Sequence, residues 1–187
     1  MPIFGTVSTT METFSTILGK VDRAVYYREL CDKIIAHGME KYTADGDLTI
    51  HTRTAYLLPL AFDMVPAAWV TTFVEKLRAL IVDNEYTLSI GFVETGIFCQ
   101  TLVKMDLHDL CYSPLLQIKD PGWLYSVRQG ATMVWERWNS YTKSKGFGDV
   151  GMNSFNHYAY GAVAECCMAV CAVFCPTSRP PASSISC

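Results

Sequence analysis

Phe92-Val-Glu-Thr-Gly-Ile-Phe-Cys-Gln-Thr-Leu-Val-Lys-Met-Asp-Leu-His-Asp-Leu-Cys-Tyr-Ser-Pro-Leu-Leu-Gln-Ile118 is the stretch that decides the fold. Its apolar residues recur at helical spacing from Phe92 to Met105 and again from Leu107 to Ile118, with only Asp106 between them. Two helices joined so tightly must fold back on each other as an antiparallel hairpin. The same pattern repeats upstream. Met11 to Leu18 reads as the end of a helix closed by Gly19, and Asp22 as the cap of a second helix reaching Tyr42. Asp45-Gly46-Asp47 is a turn. Thr52 to Met64 is a third helix, and Pro66 suits the first turn of a fourth that runs to about Val82. Strand signals are confined to Leu88–Phe92 and Trp123–Val127. Pro121-Gly122 opens a long irregular segment, and Phe155 begins a last helix. The fold class is all-α, about seven helices in antiparallel hairpins.

Composition limits the function classes. The chain has 187 residues, half of them hydrophobic and 18% charged, enough for one domain with a real core. A net charge of -3 provides no basic field, which argues against a nucleic-acid partner. No apolar run reaches the roughly 18 to 20 residues that span a bilayer. The start MPIFGTVSTTMETF has no Lys or Arg and no apolar signal core, so the chain as it stands reads as cytoplasmic. Cys31, Cys99 and Cys111 are scattered, whereas Cys166, Cys167, Cys171, Cys175 and Cys187 crowd the tail. Neither paired zinc spacing nor the spread of a disulfide framework is present, and no metal or cofactor is expected.

Two polar and aromatic stretches carry the chemistry. Gly130-Ala-Thr-Met-Val-Trp-Glu-Arg-Trp138 places the carboxylate of Glu136 between Trp135 and Trp138, and Gly151-Met-Asn-Ser-Phe-Asn-His-Tyr-Ala-Tyr-Gly161 adds amides, phenols and the imidazole of His157. Sugars stack on aromatic faces and hydrogen-bond at their edges, so such a mixture suits a carbohydrate site. The bland alternatives are a Glu136 paired with Arg137 or Arg128, a His157 satisfied in the core beside Asn153 and Asn156, and tryptophans that only pack.

Asp120-Pro-Gly-Trp-Leu-Tyr-Ser-Val127, the Trp-Glu-Arg-Trp stretch and Met152-Asn-Ser-Phe-Asn-His-Tyr-Ala-Tyr-Gly161 resemble ordered motifs of bacterial α-L-rhamnosidases of the six-hairpin glycosidase type. Leu18-Gly-Lys20, Asp45-Gly46, Thr54-Ala-Tyr-Leu-Leu-Pro-Leu60 and Gly91-Phe-Val-Glu-Thr95 stand in the matching order upstream. The resemblance covers about residues 14 to 165. It implies part of an (α/α)6 barrel of twelve helices and hydrolysis of terminal α-L-rhamnosides with inversion. Inversion needs two carboxyl groups about 6.5 to 9.5 Å apart, one giving a proton to the leaving oxygen and one activating water on the opposite face. The resemblance puts the general base on Glu136, a rhamnose contact on His157, and sugar-facing or wall roles on Trp135, Trp138 and Trp123. A rhamnose-containing glycoside is the implied partner. The compartment of a longer parent protein, periplasmic or secreted, stays open.

Two departures qualify this expectation. The family's general acid lies on a motif of the type D-E-R-L-G-W-T-G-D, which the chain does not contain. The second departure is the tail. Residues 1–165 read as the C-terminal part of the barrel, whose unpartnered faces would favour self-association. After Ala162-Val-Ala-Glu165, however, the family pattern W-L-Y-G-x-M-x-G-I-x-P-D is replaced by Cys166-Cys-Met-Ala-Val-Cys-Ala-Val-Phe-Cys-Pro-Thr177. Reverse translation with a single inserted G yields Trp-Leu-Tyr-Gly-Gly-Met-Cys-Gly-Ile-Leu-Pro-Asp, so residues 166–187 read as out of frame, with a helix still expected near Cys166 to Phe174. Other function classes are a non-catalytic carbohydrate-binding module derived from the barrel and an unrelated helical scaffold.

Overall fold

The structure, a computed structural model, describes residues 2–88 and 90–168. Among them eight α-helices alternate with short turns, and the strands are two-residue pairs only. The chain divides into two compact units, Met1–Asp83 and Asn84–Cys187.

In the first unit, α1 (Pro2–Ile17) and α2 (Val21–Tyr42) form a helical hairpin closed at Gly19, whose φ of 66° is left-handed. Lys20, not Asp22, takes the N-cap position of α2, and Asp22 sits in its first turn, where its charge complements the helix dipole. The turn read at Asp45-Gly46 is a two-residue hairpin loop between β1 (Thr43–Ala44) and β2 (Asp47–Leu48). Both loop residues have positive φ, 53° and 81°, as a loop of type I′ requires. Thr52 caps α3 (Arg53–Ala61) by accepting from the Ala55 N–H at 3.2 Å. Pro66 precedes a 3-10 turn, Ala67–Trp69, that leads into α4 (Val70–Asp83). On α4, Phe73, Leu77 and Ile81 recur every four residues and are fully buried, as are Tyr56 and Leu57 on α3, the helix packed against it.

In the second unit, α5 (Phe92–Lys104) and α6 (His108–Leu116) are the hairpin expected from the opening stretch. Asp106 makes the reversal with a φ of 59°, and Leu107 N–H reaches back to the Leu102 carbonyl at 2.8 Å. Aspartate tolerates this left-handed conformation better than most residues. Phe98, Leu102 and Leu110 are buried within the unit.

Three further local expectations are corrected. Trp123–Val127 is not a strand: it lies in α7 (Trp123–Gln129), inside the segment read as irregular. Gly130, at φ 105°, ends this helix, with its own N–H and that of Ala131 bonded back to the Val127 and Ser126 carbonyls. A tertiary bond from Trp123 Nε1 to the Tyr160 carbonyl, 2.9 Å, adds to what overrides the strand preference of Trp, Tyr and Val here. Leu88 and Ile90–Gly91 likewise form no strand among the described residues. Finally, Phe155 does not begin a helix. Residues 153–157 commit backbone groups across to the Trp135 region instead: Glu136 N–H donates to the Ser154 carbonyl at 2.9 Å and His157 N–H to the Val134 carbonyl at 2.8 Å. Helical structure resumes only with a 3-10 turn, Ala159–Ala162, and α8 (Val163–Cys166), both packed on α5. Residues 169–187, with most of the cysteine cluster and the helix expected to reach Phe174, lie outside the described residues.

Candidate active site

The segment after Gly130 holds its shape through backbone and side-chain bonds rather than regular structure. Ser140, fully buried, anchors it: its N–H donates to the Arg137 carbonyl at 3.2 Å and its hydroxyl accepts from the Arg137 N–H at 3.3 Å. The Ser140 carbonyl receives the Gly148 N–H at 2.8 Å and the Asn153 side-chain amide at 3.3 Å. The hairpin of β3 (Tyr141–Thr142) and β4 (Gly146–Phe147) is thereby tied to both polar stretches. A Cβ on Gly148 would lie 3.1 Å from Arg137 Nη2 and 3.2 Å from the Asn139 carbonyl oxygen, so a larger residue there would press on both.

Glu136 is half-buried on this scaffold. Its Oε2 accepts the Ser154 N–H at 2.8 Å while its own N–H donates to the Ser154 carbonyl. This reciprocal pair fixes the carboxylate. Among the described residues no Lys, Arg or His forms an ion pair with it, so the pairing with Arg137 or Arg128 weighed above is not observed. His157 is half-buried, not a core residue. Its Nδ1 accepts the Ala159 N–H at 3.4 Å, and its ring lies parallel to that of the exposed Tyr158, 5.6 Å away.

Two of the three tryptophans are in ring contact, and all three line one cleft. Trp123 and Trp138 are perpendicular at 5.3 Å, Trp138 lies on Tyr160 at 3.9 Å, and Trp135, 7% exposed, packs edge-on against Phe155 and Tyr141. They line a cleft of about 250 Å³ together with Val127, Met133 and Val134; Glu136 and His157 do not line it. The indole N–H of Trp138, the Nε of Arg137 and the Oδ1 of Asn153 are buried with no hydrogen-bond partner. Buried polar atoms rarely stay unpaired, and here they cluster around the two polar stretches. Burial pushes the Tyr160 phenol up, with the negative charge of Glu94 adding to the effect.

A second polar cluster, which sequence reasoning missed, sits in the first unit. The fully buried Tyr56 hydroxyl donates to Asp47 Oδ1 at 2.7 Å and lies 2.7 Å from His51 Nδ1. With its proton committed to Asp47, the hydroxyl can only accept from His51, which fixes the proton on Nδ1. Asp47 also takes the Leu48 N–H at 2.8 Å and pairs with Lys76 at 3.3 Å. Burial works against its charge, but the bonds from Tyr56, Leu48 and Lys76 outweigh it, and the carboxyl is held below its ordinary range. Burial and the adjacent Asp47 push the Tyr56 phenol far up. Asp47 reads as the last residue of the turn and Tyr56 as part of the motif at Thr54-Ala-Tyr; nothing in their spacing shows that they meet. Among the described residues no group of three or more His, Cys, Asp or Glu could hold a metal ion, and no helix is long and apolar enough to cross a membrane.

Residues 3–170 match the family described as the bacterial α-L-rhamnosidase six-hairpin glycosidase domain. The chain belongs to that family. An α-L-rhamnosidase of Alteromonas sp. (strain LOR) is 40% identical over 141 residues, which are 73% of this chain and 15% of that protein. One from Streptomyces avermitilis is 38% identical over 152 residues, 81% of this chain and 15% of that one. Solved structures agree. That of Streptomyces avermitilis α-L-rhamnosidase complexed with L-rhamnose superposes with a TM-score of 0.84 at 34% identity, over 90% of this chain and 16% of the other. That of the Aspergillus terreus enzyme gives 0.79 at 33%, over 86% and 19%. The all-α, six-hairpin assignment is therefore correct, and the chain spans about a sixth of the length of these relatives.

Proposed function

We propose that this chain carries the base-bearing part of an inverting glycosidase site that releases terminal α-L-rhamnose. Glu136 activates the attacking water, His157 contacts the rhamnose, and Trp123, Trp135 and Trp138 form the wall of the substrate pocket. The observation that carries the reading is the state of Glu136. One carboxylate oxygen is fixed by the Ser154 N–H and no cation among the described residues neutralises the group. A general base needs that combination of fixed orientation and an oxygen open to water. On this reading residues 1–165 are the C-terminal part of the barrel, and the partner carboxyl comes from a D-E-R-L-G-W-T-G-D-type segment that the chain itself does not contain.

That missing segment favours a second reading for the chain in isolation, carbohydrate binding without turnover. Loss of proton transfer to the leaving group costs about 100- to 10,000-fold. Residues 166–187 we read as out of frame; the family match ends at residue 170, inside the cysteine cluster. Resequencing the locus decides this, since an unshifted gene would return the tail to a selected sequence.

Glu136 is tested in a chimera in which residues 3–165 replace the matching segment of the Streptomyces avermitilis enzyme. There Glu136→Gln keeps size and hydrogen bonding but removes the base, and turnover of an aryl α-L-rhamnoside should fall about 100-fold or more. Azide, standing in for the water, should restore part of the rate. Near-normal turnover would make Glu136 a structural carboxylate.

A further inference from the structure

Glu136 and His157 lie on two segments, residues 134–140 and 153–157, that are joined at three points. His157 N–H donates to the Val134 carbonyl at 2.8 Å, and Glu136 and Ser154 bond reciprocally at 2.9 and 2.8 Å. The third joint is the Asn153 side-chain amide, which donates to the Ser140 carbonyl at 3.3 Å. Ser140 is fully buried, and it fastens both neighbours of the Glu136–Ser154 pair. Its hydroxyl accepts from the N–H of Arg137, the residue after Glu136, and its carbonyl accepts from Asn153, the residue before Ser154. On the far side, Asn156 N–H bonds to Ser154 Oγ at 3.2 Å and stiffens the turn. Ser154 N–H is therefore presented to Glu136 Oε2 at a fixed place and angle.

Asn153 fits poorly as mere packing. Its Oδ1 is buried with no hydrogen-bond partner, a cost to folding that an apolar side chain would avoid. What the side chain contributes is its bond to Ser140, the one hydrogen bond it makes among the described residues. We infer that Asn153 and Ser140 are positioning residues that set the place of Glu136 relative to His157, a role that rests on the reading of Glu136 as the general base. They act through the carboxylate: a reacting group displaced by about 1 Å can lose 100-fold in rate while substrate binding changes little.

The test uses Asn153→Ala, which removes the third joint, and Ser140→Ala, which keeps the carbonyl but removes the acceptor for Arg137 N–H. In the chimera described above, each should lower kcat by about 10- to 100-fold with KM nearly unchanged. In the Glu136→Gln background neither should lower the residual turnover by more than about twofold, because a residue acting only through the base has nothing left to position. Full activity in the folded variants, or an equal loss in both backgrounds, overturns the inference and leaves the base reading standing. Near-normal turnover of Glu136→Gln alone sinks both. The full chain gives an answer without turnover, through amide exchange. Either variant should speed exchange of the Ser154 and Glu136 N–H groups by about tenfold or more. The Leu107 N–H, bonded to the Leu102 carbonyl in the same unit, should keep its rate. Equal acceleration of all three amides would mean general loosening of the unit, and that outcome too overturns the positioning role.

Discussion

Asp47 in the first unit and Glu136 in the second are both carboxylates placed by a short loop, and they are treated in opposite ways. Asp47 is saturated: Tyr56, the Leu48 N–H and Lys76 all converge on it, and through Tyr56 it also fixes His51. Glu136 is held at one oxygen only, by Ser154, with unpaired polar atoms of Arg137, Trp138 and Asn153 nearby. A saturated carboxylate lowers the energy of the fold and has nothing left for a ligand. One that is oriented but open contributes less to folding and is available for chemistry.

The contrast breaks most readily at its largest expected effect. In the chimera, Glu136→Gln should cost about 100-fold or more in turnover while leaving the melting temperature within a degree or two. Asp47→Asn should do the reverse. A Glu136→Gln protein that melts much earlier would place both carboxylates in the same structural class.

Tyr56→Phe comes next. It leaves Asp47 and His51 short of a partner inside the fold and should cost about 1–3 kcal/mol in denaturant titration of the full chain. A change near zero would mean that water replaces the hydroxyl and the network is not a structural centre.

The pH dependence sharpens the comparison further. Because folding holds the Asp47 carboxyl below its ordinary value of 3.8, its contribution to stability is fully present above that pH and is lost as pH falls through the lower, folded value. Asp47→Asn should flatten the acid limb of a stability–pH profile. Asp120, in the second unit, has the opposite sign: burial pushes its carboxyl up, so its contribution weakens as pH rises past 3.8. Asp120→Asn should therefore give a slightly higher melting temperature at neutral pH; a lower one would show an unrecognised bond to the charged form.

The smallest effect concerns association. The α1–α2 hairpin leaves Phe14, Ile17, Leu18, Val21 and Val25 more than half exposed. Contiguous apolar surface of this kind favours self-association, so sedimentation should show oligomers whose share falls in Ile17→Lys. A monomer at all concentrations removes this face from consideration.

Much of this was legible in the sequence, for identifiable reasons. Apolar residues at helical spacing with one-residue junctions dictate hairpins whatever surrounds them, because only that arrangement buries both stripes; α5 and α6 turn at Asp106 as read, and β1 and β2 at Asp45-Gly46. The ordered motifs around Trp123, Glu136 and His157 likewise sufficed for the family. Local reading failed where backbone bonds cross between segments distant in the chain. Nothing in Ser154-Phe-Asn-His157 signals that the Ser154 carbonyl accepts from the Glu136 N–H and the His157 N–H donates to the Val134 carbonyl rather than a helix starting there, and nothing in Trp123–Val127 signals that Tyr160 and Gly130 hold it helical. The convergence of Asp47, His51, Tyr56 and Lys76 was invisible for the same reason. Sequence patterns report which face of an element is apolar, a property of the element alone. Which polar atoms end up satisfied and which stay open is settled only when elements pack, because a hydrogen bond depends on distances the sequence does not contain.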